Sequence, residues 1–305
     1  MILTDMIKKR ILIVGSNGML GQRLTEYFLK NNDVELLCAS SEEKSLIPNV
    51  EYKQLDIIQK NDVKKIITNF FPDFILNAAA YTNVDKAETE RELCWKINVK
   101  GVENLALYSW TIDSQLIHIS TDYIFDGKNG PYTENDLPNP ISYYGRTKLA
   151  SENSIKASGT RFTIIRTNVL YGPAKYGRAD FVKWVYNSLS NNNQIKIVTD
   201  QINNPTYIDD LVQAISKIIY YKKEGIYNIG GKELLSRYDF TKIIADYFNL
   251  KKELILPILT KDLNQPAKRP LRSGLINLKA ETEFGYNPKS IIETLELMKN
   301  ELGIK

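Results

Sequence analysis

The sequence predicts an α/β protein: a doubly wound parallel sheet of the Rossmann type with a smaller, partly interleaved C-terminal domain. Three observations carry this. Short apolar, β-branched runs alternate with amphipathic stretches over roughly the first two thirds of the 305 residues, as expected of strands buried on both faces by crossover helices. The first run leads straight into Gly15-Ser16-Asn17-Gly18-Met19-Leu20-Gly21, a glycine-spaced strand-to-helix turn. After Tyr171 the punctuation changes, with Gly172-Pro173 and a polar stretch opening a region of shorter strands and Pro-containing loops.

The expected strands are Ile11–Val14, Val34–Ala39, Phe74–Asn77, Leu116–Ser120 and Phe162–Arg166, with another ending before Asp56. Each is an apolar run bounded by turn residues, too short for a helix. Beyond Tyr171 come a helix over 181–190, a strand near 195–198 and a helix over 207–221. In the last of these Ile208, Leu211, Val212, Ile215, Ile218 and Ile219 form one apolar stripe. Asp209 and Asp210 occupy its first turn, where negative charge suits the helix dipole. A strand at Ile226–Ile229, a helix near 237–248 and a final helix near 290–300 complete the reading. Residues 1–9 read as a short extension, broken by Asp5, Lys8 and Lys9 before any signal-peptide core can form.

Composition narrows function by exclusion. Lys plus Arg number 40 and Asp plus Glu 36, a net charge of +4 spread along the chain, which is no footprint for nucleic acid or a membrane surface. No stretch approaches the ~20 apolar residues of a membrane span. Two cysteines, Cys38 and Cys94, supply neither a disulfide framework nor a zinc cluster, and a cytoplasmic setting is expected. The single histidine, His118, rules out mechanisms needing two imidazoles and reads as a packed core residue. No metal site is expected; Glu42-Glu43 and Asp209-Asp210 read as solvated or helix-start acids.

Four places carry candidate chemistry. In the glycine turn, Gly15 makes the bend, Gly18 admits a pyrophosphate close to the backbone and Gly21 packs helix on strand, with Asn17, Met19 and Leu20 between them. Three such glycines also make a plain strand-to-helix turn. The second strand ends at Ser40-Ser41, with acids only at Glu42 and Glu43. Two hydroxyls accommodate a 2′-phosphate, so this end predicts NADPH, with NADH open. Asp56-Ile57 is placed to flank the adenine, and a strand-ending turn explains the pair equally well. Ala79, Ala80 and Tyr81 follow a strand end where small side chains let a flat cofactor approach. Thr121, at the carboxyl end of Leu116–Ser120, lies where a carbonyl can be polarised. Tyr144 and Lys148 share a helix face at i and i+4, so an ammonium stands near a phenol.

In this order, the nucleotide turn, the hydroxyl and the Tyr–Lys helix resemble the extended short-chain dehydrogenase/reductases. The words NAAAYTNVDKAE (77–88), STDYIFDG (120–127) and YGRTK (144–148) resemble the dTDP-4-dehydrorhamnose reductase family, with further matches at Asn98, Asp200-Gln201, Pro205-Thr206, Arg269-Pro270 and Ser273. The resemblance implies reduction of a nucleotide-linked 4-keto-6-deoxyhexose by NADPH or NADH. Thr121, Tyr144 and Lys148 would be catalytic: Tyr144 the proton donor, Thr121 a hydrogen-bonding partner of the same oxygen, and Lys148 a depressor of the Tyr144 pKa and holder of the cofactor ribose. The cofactor would meet Gly15, Asn17, Gly18, Met19, Leu20, Gly21, Ser40, Asp56, Ile57, Ala79, Ala80, Tyr81, Tyr144 and Lys148. The substrate would meet Thr121, Asp122, Tyr123, Asn168, Val169 and Arg269, the arginine at its diphosphate. Where the family has a Trp over the sugar this chain has Val169, so the resemblance implies that this platform is either missing or supplied elsewhere, with Tyr81, Tyr123 and Trp184 the candidates. The expected partner is the nucleotide sugar, with a homodimer admitted. The expected domains are 1–170, with 200–230 returning to it, for NAD(P), and 171–199 with 231–305 for substrate. An epimerase or dehydratase of the same superfamily, and a non-catalytic NADP-binding subunit like the beta subunit of methionine adenosyltransferase, are the alternatives.

Overall fold

The computed structural model describes residues 8–177 and 179–302; the expected N-terminal extension lies, through residue 7, outside them. Six strands, β1 (Lys9–Val14), β2 (Val34–Ser40), β3 (Glu51–Gln54), β4 (Phe74–Asn77), β5 (Gln115–Thr121) and β6 (Phe162–Thr167), join the strand Gly225–Ile229 in one sheet. The order runs Gly225–Ile229, β6, β5, β4, β1, β2, β3, and all neighbours are parallel. Strand order reverses between β1 and β4, the crevice where doubly wound sheets bind ligands at their carboxyl ends.

Alternation along β1 sorts its side chains to two cores. Ile11 and Ile13 pack with Leu20, Leu24 and Phe28 of helix α1 (Met19–Phe28) and the apolar stripe of the later helix Ile208–Tyr220. Leu12 and Val14 pack on the opposite face with residues of α2 (Lys60–Phe70) and the helices Val102–Thr111 and Tyr143–Ala157. Between them α3 (Arg91–Trp95) continues through a π-helical stretch, Lys96–Gly101, into α4 (Val102–Thr111). That wider turn, unforeseen in the sequence, carries the buried Asn98. Helix α5 (Tyr143–Ala157) starts at Ser142, whose hydroxyl accepts from the Gly145 N–H.

A third core lies beyond the sheet. Helices α6 (Phe181–Ser190), α8 (Arg237–Tyr247) and α10 (Ile291–Leu302) enclose Val182, Val185, Phe240, Ile244, Leu295 and Met298, along with Ile195 and Ile255. The strands Ile195–Val198 and Ile255–Ile258 pair in parallel there. Helix α7 (Ile208–Tyr220) returns to the main sheet, as does α9 (Leu278–Phe284), whose Ala280 and Phe284 were not foreseen as core. Among the described residues no helix is long and apolar enough to cross a membrane.

Candidate active site

The glycine turn closes on the sheet through backbone bonds: Gly15 and Ser16 N–H both donate to Ala39 O, at 2.7 and 3.1 Å. Gly15 has φ +82° and sits so close to β4 that a Cβ would lie 2.6 Å from Ala79 N, so only glycine fits. At Gly21 a Cβ would run into Gly15 O, whereas at Gly18 it would meet only Gly15 O, at 3.3 Å. Gly18 is exposed and caps α1 with no side-chain hydrogen bond, which leaves helix N–H groups available to an anion. Ser16 Oγ, in the same turn, is buried without a hydrogen-bond partner. These features fit a dinucleotide pyrophosphate. Met19 and Leu20 face the core instead.

Asn17 ties this turn to the loop after β2. Its side chain donates to Glu42 Oε2 (3.2 Å) and Lys44 O (3.0 Å) and accepts from Leu46 N–H (3.0 Å). Its own N–H donates to Ser40 Oγ at 3.2 Å. A carboxylate therefore does reach the nucleotide turn, although the strand itself ends in serines. Asp56 is exposed and accepts from Ile58 N–H, while Ile57 is buried and passes its carbonyl to Asn104. Ala79 and Ala80 are half-buried past β4. Tyr81 is held by Asn98, which accepts from its N–H (2.8 Å) and donates to its carbonyl (3.1 Å) and to Thr147 Oγ (3.0 Å).

Strand β5 delivers Thr121 to the crevice. Its hydroxyl donates to Asp122 Oδ1 (3.0 Å) and accepts from Tyr123 N–H (3.2 Å). Tyr144, half-buried at the start of α5, stands edge-on to Tyr123 with ring centroids 5.8 Å apart. Burial raises the Tyr144 phenol well above its ordinary range, and the charge on Asp122 adds to this. The expectation that Lys148 depresses it is thus corrected. The Lys148 ammonium turns away to Ile119 O (2.7 Å) and His118 Nε2 (3.1 Å), and Tyr144 is held as a neutral phenol. Burial also lowers Lys148 to about 8, opposed by Glu152 and Cys94.

The C-terminal region reaches this group along residues 267–273. Ser273 Oγ donates to Asp122 Oδ2 at 2.5 Å, and Asn168 Nδ2 donates to Ser273 O at 3.0 Å. Burial raises the Asp122 carboxyl, against its hydrogen bonds from the Ser273 and Thr121 hydroxyls. Asn168 Oδ1 is buried with no full hydrogen bond. Val169 is half-buried and its carbonyl accepts from Thr206. Arg269 makes a two-pronged pair with Asp85, at 2.6 and 2.7 Å, so the fork expected at a diphosphate already holds a carboxylate. Asp85 escaped the sequence reading because its partner lies 184 residues away. Among the substitute aromatics, Tyr123 adjoins Tyr144, Tyr81 donates to Glu90 (2.7 Å), and Trp184 is exposed on α6 beside Phe181. No group of three or more His, Cys, Asp or Glu placed to hold a metal occurs among the described residues.

Comparison with known proteins agrees with this arrangement. The family model described as RmlD substrate binding domain matches residues 9–303. A dTDP-4-dehydrorhamnose reductase of Aggregatibacter actinomycetemcomitans is 36% identical over 291 residues, covering 92% of this chain and 94% of that protein. Methionine adenosyltransferase 2 subunit beta of Xenopus tropicalis is 31% identical over 256 residues, 82% of this chain and 75% of that protein. The crystal structure of a Bacillus anthracis dTDP-4-dehydrorhamnose reductase in complex with NADP superposes with a TM-score of 0.87 at 34% identity, covering 96% of this chain and 99% of that one. With its glycine turn open to an anion and its Thr–Tyr–Lys group at the sheet's carboxyl edge, the chain belongs to the RmlD, or dTDP-4-dehydrorhamnose reductase, family and is an NAD(P)H-dependent oxidoreductase.

Proposed function

We propose that the protein reduces the C4 keto group of a nucleotide-linked 4-keto-6-deoxyhexose, the reaction class that its reductase relatives' names describe. The observation that carries this reading is the grouping of Thr121, Tyr123 and Tyr144 where the end of β5 meets the start of α5, on the same carboxyl edge of the sheet as a glycine turn whose helix N-terminus has no side-chain cap. The residues that would hold the dinucleotide are Gly15, Ser16 and Gly18 at the pyrophosphate, Ser40, Asp56 and Ile57 toward the adenosine, and Ala79, Ala80 and Lys148 toward the nicotinamide. When bound, the reduced nicotinamide supplies the hydride.

The chain's own residues manage the proton. Tyr144, kept neutral by burial, donates its phenolic proton to the C4 oxygen as negative charge grows there. Thr121 turns its hydroxyl from Asp122 to the same oxygen. Asp122, anchored by Ser273, keeps Thr121 in place until then. The substrate lies between the β5 edge and residues 267–273, against Tyr123, Asn168, Val169 and Arg269. Residues 1–170 with 200–230 act as the cofactor domain and the remainder as the substrate domain, a division supported by the entry of Gly225–Ile229 into the main sheet. The reading includes a cytoplasmic setting, supported by two free buried cysteines, and a homodimer, checked by light scattering.

The experiment is cofactor oxidation, followed by absorbance, against a panel of nucleotide 4-keto-6-deoxyhexoses, with product stereochemistry by NMR. Reduction of at least one panel member at C4 is expected. Failure to oxidise NADPH or NADH with any of them would overturn the reading and leave a cofactor-binding subunit as the alternative.

A further inference from the structure

Lys148 has surroundings that the reduction does not by itself require. Its Nζ lies 2.7 Å from Ile119 O and 3.1 Å from His118 Nε2, with the lysine 2% and the histidine 0% exposed. Asn77 decides which ring nitrogen carries the proton. Ala79 N–H donates to Asn77 Oδ1 at 3.2 Å, so the amide NH₂ is the end facing His118 Nδ1, at 3.0 Å. Nδ1 is then an acceptor and the ring proton sits on Nε2. That N–H has two neighbours at 3.1 Å, Ser151 Oγ and Lys148 Nζ. The serine is always available, since its own proton goes to Lys148 O at 2.7 Å. The lysine is available only as an amine, because an ammonium has no lone pair.

We propose that His118 is a positioning residue for Lys148: its Nε2–H, fixed by Asn77, receives the lysine as a free amine and keeps it seated against Ile119 O after its proton has left. The ammonium gives its proton up to water and takes it back from water, so the step is a proton exchange in which no electrons move and the amine is held on His118 Nε2–H in between. His118 itself stays neutral, driven well down by burial and by the Lys148 charge. The other groups facing Lys148 are Cys94 from α3 and Glu152 from its own helix, and both favour the ammonium. His118 thus opposes them from β5.

The proposal rests on Lys148 belonging to the reaction group, so the test reads the lysine without turnover. The full chain is labelled with ¹³C-lysine, and the Lys148 ε-methylene signal, identified by its loss in Lys148→Met, is titrated by NMR. His118→Phe keeps the ring volume and removes the N–H, and is expected to raise the Lys148 midpoint by about one pH unit. His118→Gln, which returns an amide N–H, is expected to bring it back toward the wild-type value. An unchanged midpoint in His118→Phe would overturn the proposal. So would a lowered one, which would mean that the ring accepts from the ammonium. If His118→Phe does not fold, Asn77→Leu frees the tautomer and is expected to raise the midpoint, with the same two results against it. A shifted midpoint in a chain that reduces no panel sugar would instead count against the reductase reading alone.

Discussion

Tyr144 owes its high pKa first to burial and then to the Asp122 charge, so it remains a proton donor across the physiological range. Tyr144→Phe is expected to cut turnover by ~10²–10⁴ while cofactor affinity stays near wild type, the share of a general acid. Stopped-flow turnover beside a fluorescence titration of NADPH checks both halves. At the cofactor's other end, Ser40 and Ser41 favour a 2′-phosphate, whereas Glu42, bonded to Asn17 at 3.2 Å, disfavours it. The wild type is therefore expected to use both cofactors, and Glu42→Gln to raise the NADPH/NADH ratio of kcat/KM by roughly three- to tenfold. An unmoved ratio would show that this carboxylate does not read the 2′ position. Residues of this kind were only half legible in the sequence. Ser40, Thr121, Tyr144 and Lys148 stand at strand ends or share a helix face, and periodicity gives those positions directly. The Asn17–Glu42 and Asp85–Arg269 bonds join chain segments with no common period, so spacing contained no sign of them. His118 read as core because a strand interior is core; that its ring meets Lys148 depends on a side-chain direction from α5 that no strand pattern records.

Among the elements, α1 separates the two duties of its glycines. At Gly18 a side chain meets only Gly15 O at 3.3 Å, but at Gly21 it collides with that same carbonyl. Gly18→Val is expected to abolish cofactor binding with a smaller fall in melting temperature than Gly21→Val, because at Gly18 a Cβ asks Gly15 O to give only slightly while the side chain occupies the place of the pyrophosphate. Gly21→Val is expected to lower the melting temperature by several degrees or more, as overpacking against rigid backbone does. Calorimetry with and without NADPH distinguishes them; equal loss of stability in both would mean that Gly18 also serves packing alone. Strands β1, β2, β4, β5 and β6 and helix α7 were legible because each carries an apolar run or stripe, whereas β3, reading EYKQ, and the strand Ile255–Ile258 carry no such run. The π-helical stretch Lys96–Gly101 was not. Helical periodicity is blind to a single widened turn, yet this one carries Asn98 to the Tyr81 backbone.

For the whole molecule, the strand Gly225–Ile229 and helices α7 and α9 complete one face of a sheet whose other six strands end at Thr167. The chain that emerges first from the ribosome therefore contains every group assigned to proton transfer and the α1 part of the cover over Ile11 and Ile13, but not the α7 and α9 residues that share that core with Leu76, Ile117 and Ile165. Until some sixty further residues have been made, β6 is an open edge and that face is covered by α1 without α7. A fragment ending at residue 170 is accordingly expected to be insoluble or to bind hydrophobic dye, whereas the full chain refolds slowly, as its long-range parallel pairing requires. Addition of residues 171–302 as a separate polypeptide should recover soluble material. A fragment that stayed monomeric and cooperative on its own would show that the reaction group sits on an autonomous folding unit; the sheet order instead puts the closing of the β6 edge after residue 225, so that the segment carrying the chemistry is expected to wait on chain made after it.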